Sequence, residues 1–101
     1  GGASVLDFSG ENFVDDIVLI DGVGAQSAKK LAAAGYATLT SIAKLSEADA
    51  TKVFEEQGYG PRAAREEWWA QSKEMVGGKA PRAKVDQRLA AQMLAKRAKE
   101  A

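Results

Sequence analysis

Two short glycine pairs are the residues of this chain best suited to chemistry: Gly22-Val23-Gly24 and, 36 residues later, Gly58-Tyr59-Gly60. Gly22-Val23-Gly24-Ala25-Gln26-Ser27-Ala28-Lys29 can be laid over Gly58-Tyr59-Gly60-Pro61-Arg62-Ala63-Ala64-Arg65. Both glycines match, as do the alanine four residues past the second glycine and the base after it. A lone Gly-x-Gly carries little information, but two copies between helix-like segments suggest an internal repeat. Two glycines let a chain reverse tightly with positive φ and no Cβ in the way. The N–H groups of the turn and of the next helix's first turn then point the same way, and with the helix dipole they form a small anion site. Such a device could hold a phosphate oxygen without reading bases. The middle residue, Val23 or Tyr59, would pin the turn to the core, and Ala28 and Ala64 would let two helices approach. Three uses compete for Gly22-Val23-Gly24: a dinucleotide-binding turn, a phosphate-gripping hairpin between helices, and a tight turn with no ligand.

The composition narrows the chemistry. The chain has neither cysteine nor histidine, which excludes disulfides, thiolate zinc sites and a cysteine nucleophile, and removes the commonest general base and metal ligand. No Asp-x-Asp-x-Asp-Gly calcium loop is present. The chain is therefore not expected to be an enzyme, and no cofactor, metal or small-molecule substrate is expected. No apolar stretch approaches the ~20 residues needed to cross a bilayer, and no signal-peptide pattern is present, so no membrane partner is expected and a cytoplasmic location is the default.

The 101 residues suit one domain with a modest core. Net charge is zero, but it is unevenly spread. Residues 1–21 hold Asp7, Glu11, Asp15, Asp16 and Asp21 and no base. Residues 22–78 are balanced. Residues 79–101 hold seven bases (Lys79, Arg82, Lys84, Arg88, Lys96, Arg97, Lys99) against Asp86 and Glu100. A basic C-terminal segment suits an anionic partner, docking on the acidic N-terminal segment, or a solvated end.

The elements that would position the glycine turns are helices. Residues 1–11 are Gly/Ser-rich and read as a linker or trimmed boundary; a start without methionine suggests a fragment or processed chain. Residues 12–20 fit either a buried strand at Ile17–Ile20 or a helical face of Phe13, Ile17 and Ile20 extended by Val14 and Val18. Ala25 to Ala34 reads as a helix with Ala28, Leu31 and Ala32 inward, stopped by Gly35. Thr38 or Thr40 can cap a short helix carrying Leu39, Ile42 and Leu45. Ser46-Glu47-Ala48-Asp49 resembles a capping box, opening a helix to about Gln57 that buries Ala50, Val53 and Phe54. Pro61 fits the first position of one long helix, PRAAREEWWAQSKEMV, with Ala64, Trp68 and Met75 as its apolar stripe and Gly77-Gly78 as its stop. Adjacent Trp68 and Trp69 point about 100° apart, which suggests one in the core and one partly buried. A last helix from about Ala83 to Lys99 puts Val85, Leu89 and Met93 on one side and could project from the core. No segment after Ile20 reads as a strand, and Ser27 stands where the dinucleotide fingerprint needs its third glycine, which argues against that use. The pattern implies an all-α domain of five to six helices: two helix–turn–helix units about a pseudo-twofold axis over 12–78, followed by a basic helix or tail over 79–101.

Leu19-Ile20-Asp21-Gly22-Val23-Gly24, with Ala28 and Leu31 following, resembles the helix-hairpin-helix motif. The segment from about Asp15 to Val76 is similar to the tandem helix-hairpin-helix domain of DNA repair and recombination proteins. It is still more similar to a bacterial branch whose second half runs Gly-Arg-x-x-Arg-Glu-x-Trp-x-x-Gln-Ala-Lys, echoed by Arg62, Arg65, Glu66, Trp68, Gln71 and Lys73. That branch occurs as a C-terminal extension of a large-subunit ribosomal protein and of the small iron–sulfur subunit of NADH-quinone oxidoreductase. The resemblance implies a non-catalytic, sequence-nonspecific nucleic-acid-binding module. Its phosphate contacts would be the amides of Gly22, Val23, Gly24, Ala25 and Gln26 with Lys29 nearby, and in the second copy Gly58, Tyr59 and Gly60 with Arg62 and Arg65. The partner would be a DNA or RNA backbone. The alternative is a protein–protein or assembly module on a larger ribosomal or respiratory-complex protein, with the phosphate grip lost.

Overall fold

A computed structural model describes residues 16–100, and every regular element among them is helical. The expected linker over 1–11 and the face formed by Phe13 and Val14 lie outside the described residues.

The described chain begins with a 3-10 turn, Asp16–Leu19. Ile17–Ile20 is thus neither strand nor α-helix, yet Ile17, Leu19 and Ile20 are completely buried. Fully burying a side chain of this size contributes roughly 1.5–3 kcal/mol, so these three residues anchor the entry to the first hairpin. Asp16 is also buried, and its Oδ1 accepts from the Leu39 amide at 2.7 Å.

Helix α1 (Ala25–Ala33) follows the first glycine pair. It ends in a Schellman turn at Gly35, with the Gly35 amide donating to Ala32 and the Tyr36 amide to Leu31. Helix α2 (Leu39–Ala43) is capped by Thr38, whose side chain accepts from the Ser41 amide. Ser46 caps α3 (Glu47–Glu56) by accepting from Asp49, as the capping-box pattern anticipated.

The expected single helix from Pro61 to Val76 is two helices. Helix α4 (Gly60–Arg65) and α5 (Trp68–Val76) are separated at Glu66-Glu67, where Glu67 is left-handed at φ 57°, ψ 47°. That conformation costs a residue with a Cβ about 1–2 kcal/mol. Tertiary contacts hold it: buried Gln71 donates to the Glu66 carbonyl at 2.7 Å, and Arg82 donates to the Glu67 carboxylate at 2.9 Å. The apolar stripe also differs from the expected one. Ala63, not Ala64, is the buried alanine of α4, and Ala64 is exposed.

Helix α6 (Lys84–Glu100) closes the described chain. It docks on the 3-10 turn through completely buried Ala90, with Leu89, Met93 and Leu94 half-buried beside it. Val85, expected on that inward side, is 66% exposed. Arg82 ties the α5–α6 connection to Glu74, whose carboxyl is held below its ordinary value chiefly by that hydrogen bond. The core centres on Trp68, which meets Phe54 edge-on at 5.4 Å and Tyr59 at the same distance. Trp69 is half-buried and donates to the Leu45 carbonyl at 2.9 Å, so the tryptophan pair divides as its spacing suggested.

Candidate functional site

The first hairpin turns at Gly22, with φ +107°. A Cβ there would fall on the Glu66 carboxylate and within 2.9 Å of the Trp68 indole nitrogen. Conformation and space both therefore require glycine. Side chains from the second half of the molecule hold the turn from behind. Arg62 donates to the Gly22 carbonyl at 2.7 Å, and Glu66 accepts from Trp68 at 3.0 Å and from Arg62 at 3.3 Å. The Gln71 amide group reads both sides of the Asp21 peptide: its Oε1 accepts from Asp21 N at 2.7 Å, and its Nε2 donates to Asp21 O at 3.1 Å.

With the turn fixed this way, α1 starts in the open. Gly24 is its N-cap, in extended backbone with no side-chain cap. Gly24, Ala25 and Gln26 are exposed, and among the described residues nothing accepts from their N–H groups. The first amide with a helical partner is Ala28, which donates to Gly24 at 2.9 Å. Val23 pins the turn to the core as its apolar type suggested, but its amide is not the free phosphate contact that the resemblance implied. Its side chain is 4% exposed and its amide already donates to Ile20 at 3.0 Å, so it anchors the turn and offers no donor. Lys29 is exposed one helical turn further on, beside a shallow depression floored by Ala25, Ala28 and Ala32.

The second hairpin is built otherwise. Gly58, with φ +86°, and Tyr59 form the Schellman cap of α3: Gly58 N donates to Glu55 at 3.0 Å and Tyr59 N to Phe54 at 2.8 Å. Both amides are already taken. Helix α4 starts one residue earlier relative to its glycines than α1 does, so Gly60 is its first residue and Pro61, with no N–H, its second. Gly60 sits against Glu55, whose Cγ a Cβ would approach to 2.7 Å. Arg62 faces the first hairpin, as described. Arg65 is exposed. Lys30, which has no basic counterpart in the repeat, reaches across to this turn. It donates to the Gln57 carbonyl at 2.8 Å and lies 5.4 Å from the Tyr59 ring centroid, a cation at the C-terminus of α3.

Each half thus clasps the other's turn, Arg62 onto Gly22 and Lys30 onto Gln57. The sequence-predicted residues do not gather at one place, and the two hairpins separate into one open and one occupied. Sequence reasoning overlooked Gln71 as a positioning residue. A signal for it existed: Trp68, Gln71, Ser72 and Met75 follow helical spacing, and a glutamine on an inward stripe needs polar partners.

Two acids adjoin the open hairpin. Asp21 is exposed. The Asp86 carboxyl on α6 is pushed up to about 6, first by burial and second by Asp21. On the outer side of α6, Lys84, Arg88 and Lys99 lie opposite Ala90 and are exposed.

A family model for the RS2/RL21/YNQ2 helix-hairpin-helix (HHH) domain matches residues 18–76, and the chain belongs to that family. Comparison with curated proteins yields no match, and comparison with solved structures yields none either.

Proposed function

We propose that this member of the RS2/RL21/YNQ2 helix-hairpin-helix family is a non-catalytic, sequence-nonspecific nucleic-acid-binding module whose phosphate grip is confined to the first hairpin. Family membership supports a nucleic-acid-binding or assembly module in general. The observation that carries the narrower reading is the set of exposed, unpartnered amides at Gly24, Ala25 and Gln26 at the start of a nine-residue helix. Converging backbone donors at a helix N-terminus bind a phosphate oxygen without reading the base. Lys29 adds one charge nearby, and the outer face of α6 adds long-range attraction. Neither group reads sequence, so affinity follows salt.

The test is a backbone amide NMR titration of the full chain with a short duplex, at low salt and at physiological ionic strength. Shifts at Gly24 to Gln26 that shrink with salt are expected, with Gly58 and Tyr59 nearly still. Shifts confined to α6 would reduce the interaction to general electrostatics, and no shifts would contradict the reading. A second reading, an assembly module without a phosphate grip, draws on Asp21, which precedes Gly22 in the chain, and on Asp86, whose carboxyl is raised in part by Asp21. It predicts no duplex-dependent shifts at the hairpin at any salt. No helix among the described residues is long and apolar enough to cross a membrane; a cytoplasmic site of action is part of this proposal.

A further inference from the structure

We propose that residues 6–15 of this chain dock in cis along the C-terminal half of α6, as an acidic and apolar strap on the helix face that carries Ala90. The direction of the chain supports this first. The Asp86 carboxyl feels the charge of Asp21, so residue 21 lies near the start of α6, where only Lys84 and Val85 precede Asp86. The 3-10 turn Asp16–Leu19 packs on α6. Its contact therefore falls beyond Asp86, where Ala90 is completely buried. Read backwards from Asp21, the described chain runs beside α6 toward its C-terminal half and stops at Asp16.

The receiving face is an apolar stripe that runs on into charge. Ala90, Met93, Leu94 and Arg97 share one side of α6 by helical spacing. Ala90 is buried, Met93 and Leu94 are half-buried, and every residue from Ala95 to Glu100 is exposed. From Ala90 to Glu100 the helix rises about 15 Å, a span that about five extended residues cover. Residues 11–15 are long enough, and the chemistry fits. Phe13 and Val14 offer apolar side chains to Met93 and Leu94. Residues 1–15 hold Asp7, Glu11 and Asp15 and no base, whereas residues 91–99 hold Lys96, Arg97 and Lys99 and no acid. A phosphate backbone matches those bases but leaves the Met93–Leu94 edge uncovered. The short tether makes the contact intramolecular, so individually weak pairs suffice. An anionic partner of α6 then has to displace the strap. None of this depends on the phosphate-binding reading of the first hairpin.

The experiment uses the full chain, which has no native cysteine, with a nitroxide spin label on Ser9→Cys. Strong paramagnetic broadening of the Met93 to Lys99 amide signals is expected at about physiological ionic strength, where a Debye length of about 8 Å suppresses loose charge attraction. A tether alone would broaden part of α6, so the deciding comparison is the same label with Asp7→Asn, Glu11→Gln and Asp15→Asn combined. The broadening rate should fall by at least about threefold there, through loss of the charge pairs, and Phe13→Ser should lower it by a similar factor through loss of apolar contact. An unmoved Trp68 indole signal reports an intact fold. Should either variant lose the fold, the parent at about 1 M salt, with a Debye length of about 3 Å, still decides, because its broadening should fall too. A mixture of isotope-enriched unlabelled chain with unenriched spin-labelled chain should show no broadening. Broadening unchanged by neutralising the acids, by Phe13→Ser or by salt would overturn the proposal, and broadening between chains in the mixture would move the strap onto a second copy and overturn docking in cis.

Discussion

In the first hairpin the chain turns at Gly22 and enters α1 with the amides of Gly24, Ala25 and Gln26 without acceptors among the described residues; in the second it turns at Gly58 and uses two amides to close α3. The letters are nearly the same and both leading glycines have positive φ, +107° and +86°. What differs is what comes before and behind. A 3-10 turn precedes Gly22, and the Val23 amide returns to Ile20 within it. A full α-helix precedes Gly58, and its last carbonyls claim the amides that would otherwise face outward. Behind Gly22 stand Arg62, Glu66, Trp68 and Gln71, whereas Gly58 meets only the end of Lys30, 4.0 Å from a built Cβ. A repeated glycine pair therefore specifies a turn, and the neighbouring elements decide whether the turn's donors remain free.

The sharpest way to break this comparison is to place the same side chain in both turns. Gly22→Ala should destabilise the protein by about 3 kcal/mol, since positive φ and collision with Glu66 and Trp68 act together. Gly58→Ala should cost only about 1 kcal/mol, the backbone part alone. Equal losses in urea unfolding would mean the two turns are equally constrained. Gln71→Leu should cost about 2–3 kcal/mol, because it leaves both backbone groups of Asp21 and the Glu66 carbonyl without partners. Hydrogen exchange in that variant should speed up at Asp21 and Gly22 before Gly58 and Tyr59.

Two cations sharpen the contrast further. Arg62→Met should lower stability by about 1 kcal/mol and leave the salt slope of duplex binding unchanged, because Arg62 serves the turn. Lys29→Met should leave stability alone and reduce the magnitude of the slope by about one. The smallest effect concerns the acid flank. The Asp86 carboxyl is raised from 3.8 to about 6 in the folded protein, so its contribution to stability is full below about 4 and is lost as pH rises through about 6. Asp86→Asn should accordingly raise stability at pH 7 by up to about 1 kcal/mol, given its partial exposure, and flatten thermal unfolding between pH 4 and 6.

Local signals made much of the fold legible. The caps at Thr38 and Ser46, the stop at Gly35 and the division of Trp68 from Trp69 follow from residue type and spacing. Three features were not legible, because they depend on how a neighbouring helix ends or on contacts distant in sequence. Glu66-Glu67 reads as helix but is broken by Gln71 and by Arg82, fifteen residues beyond Glu67. The one-residue shift of α4 that buries Ala63 follows from the Schellman cap of α3. Arg62 reads as a phosphate ligand but turns to Gly22, forty residues earlier in the chain. The candidate site was legible as a motif, whereas the inequality of its two copies was not.

The most direct test of the open first hairpin is duplex binding by Gly24→Asp. Gly24 has extended backbone, and nothing lies within 4 Å of a Cβ built there, so the fold should persist. The new carboxylate would cap α1 and accept from the amides beyond it, stabilising the chain by about 0.5–1 kcal/mol while filling the proposed phosphate site with its own charge. The account predicts a variant at least as stable as the parent that has lost duplex affinity by about tenfold or more at low salt. A stable, capped variant that binds the duplex as the parent does would contradict it and move the grip away from the first hairpin.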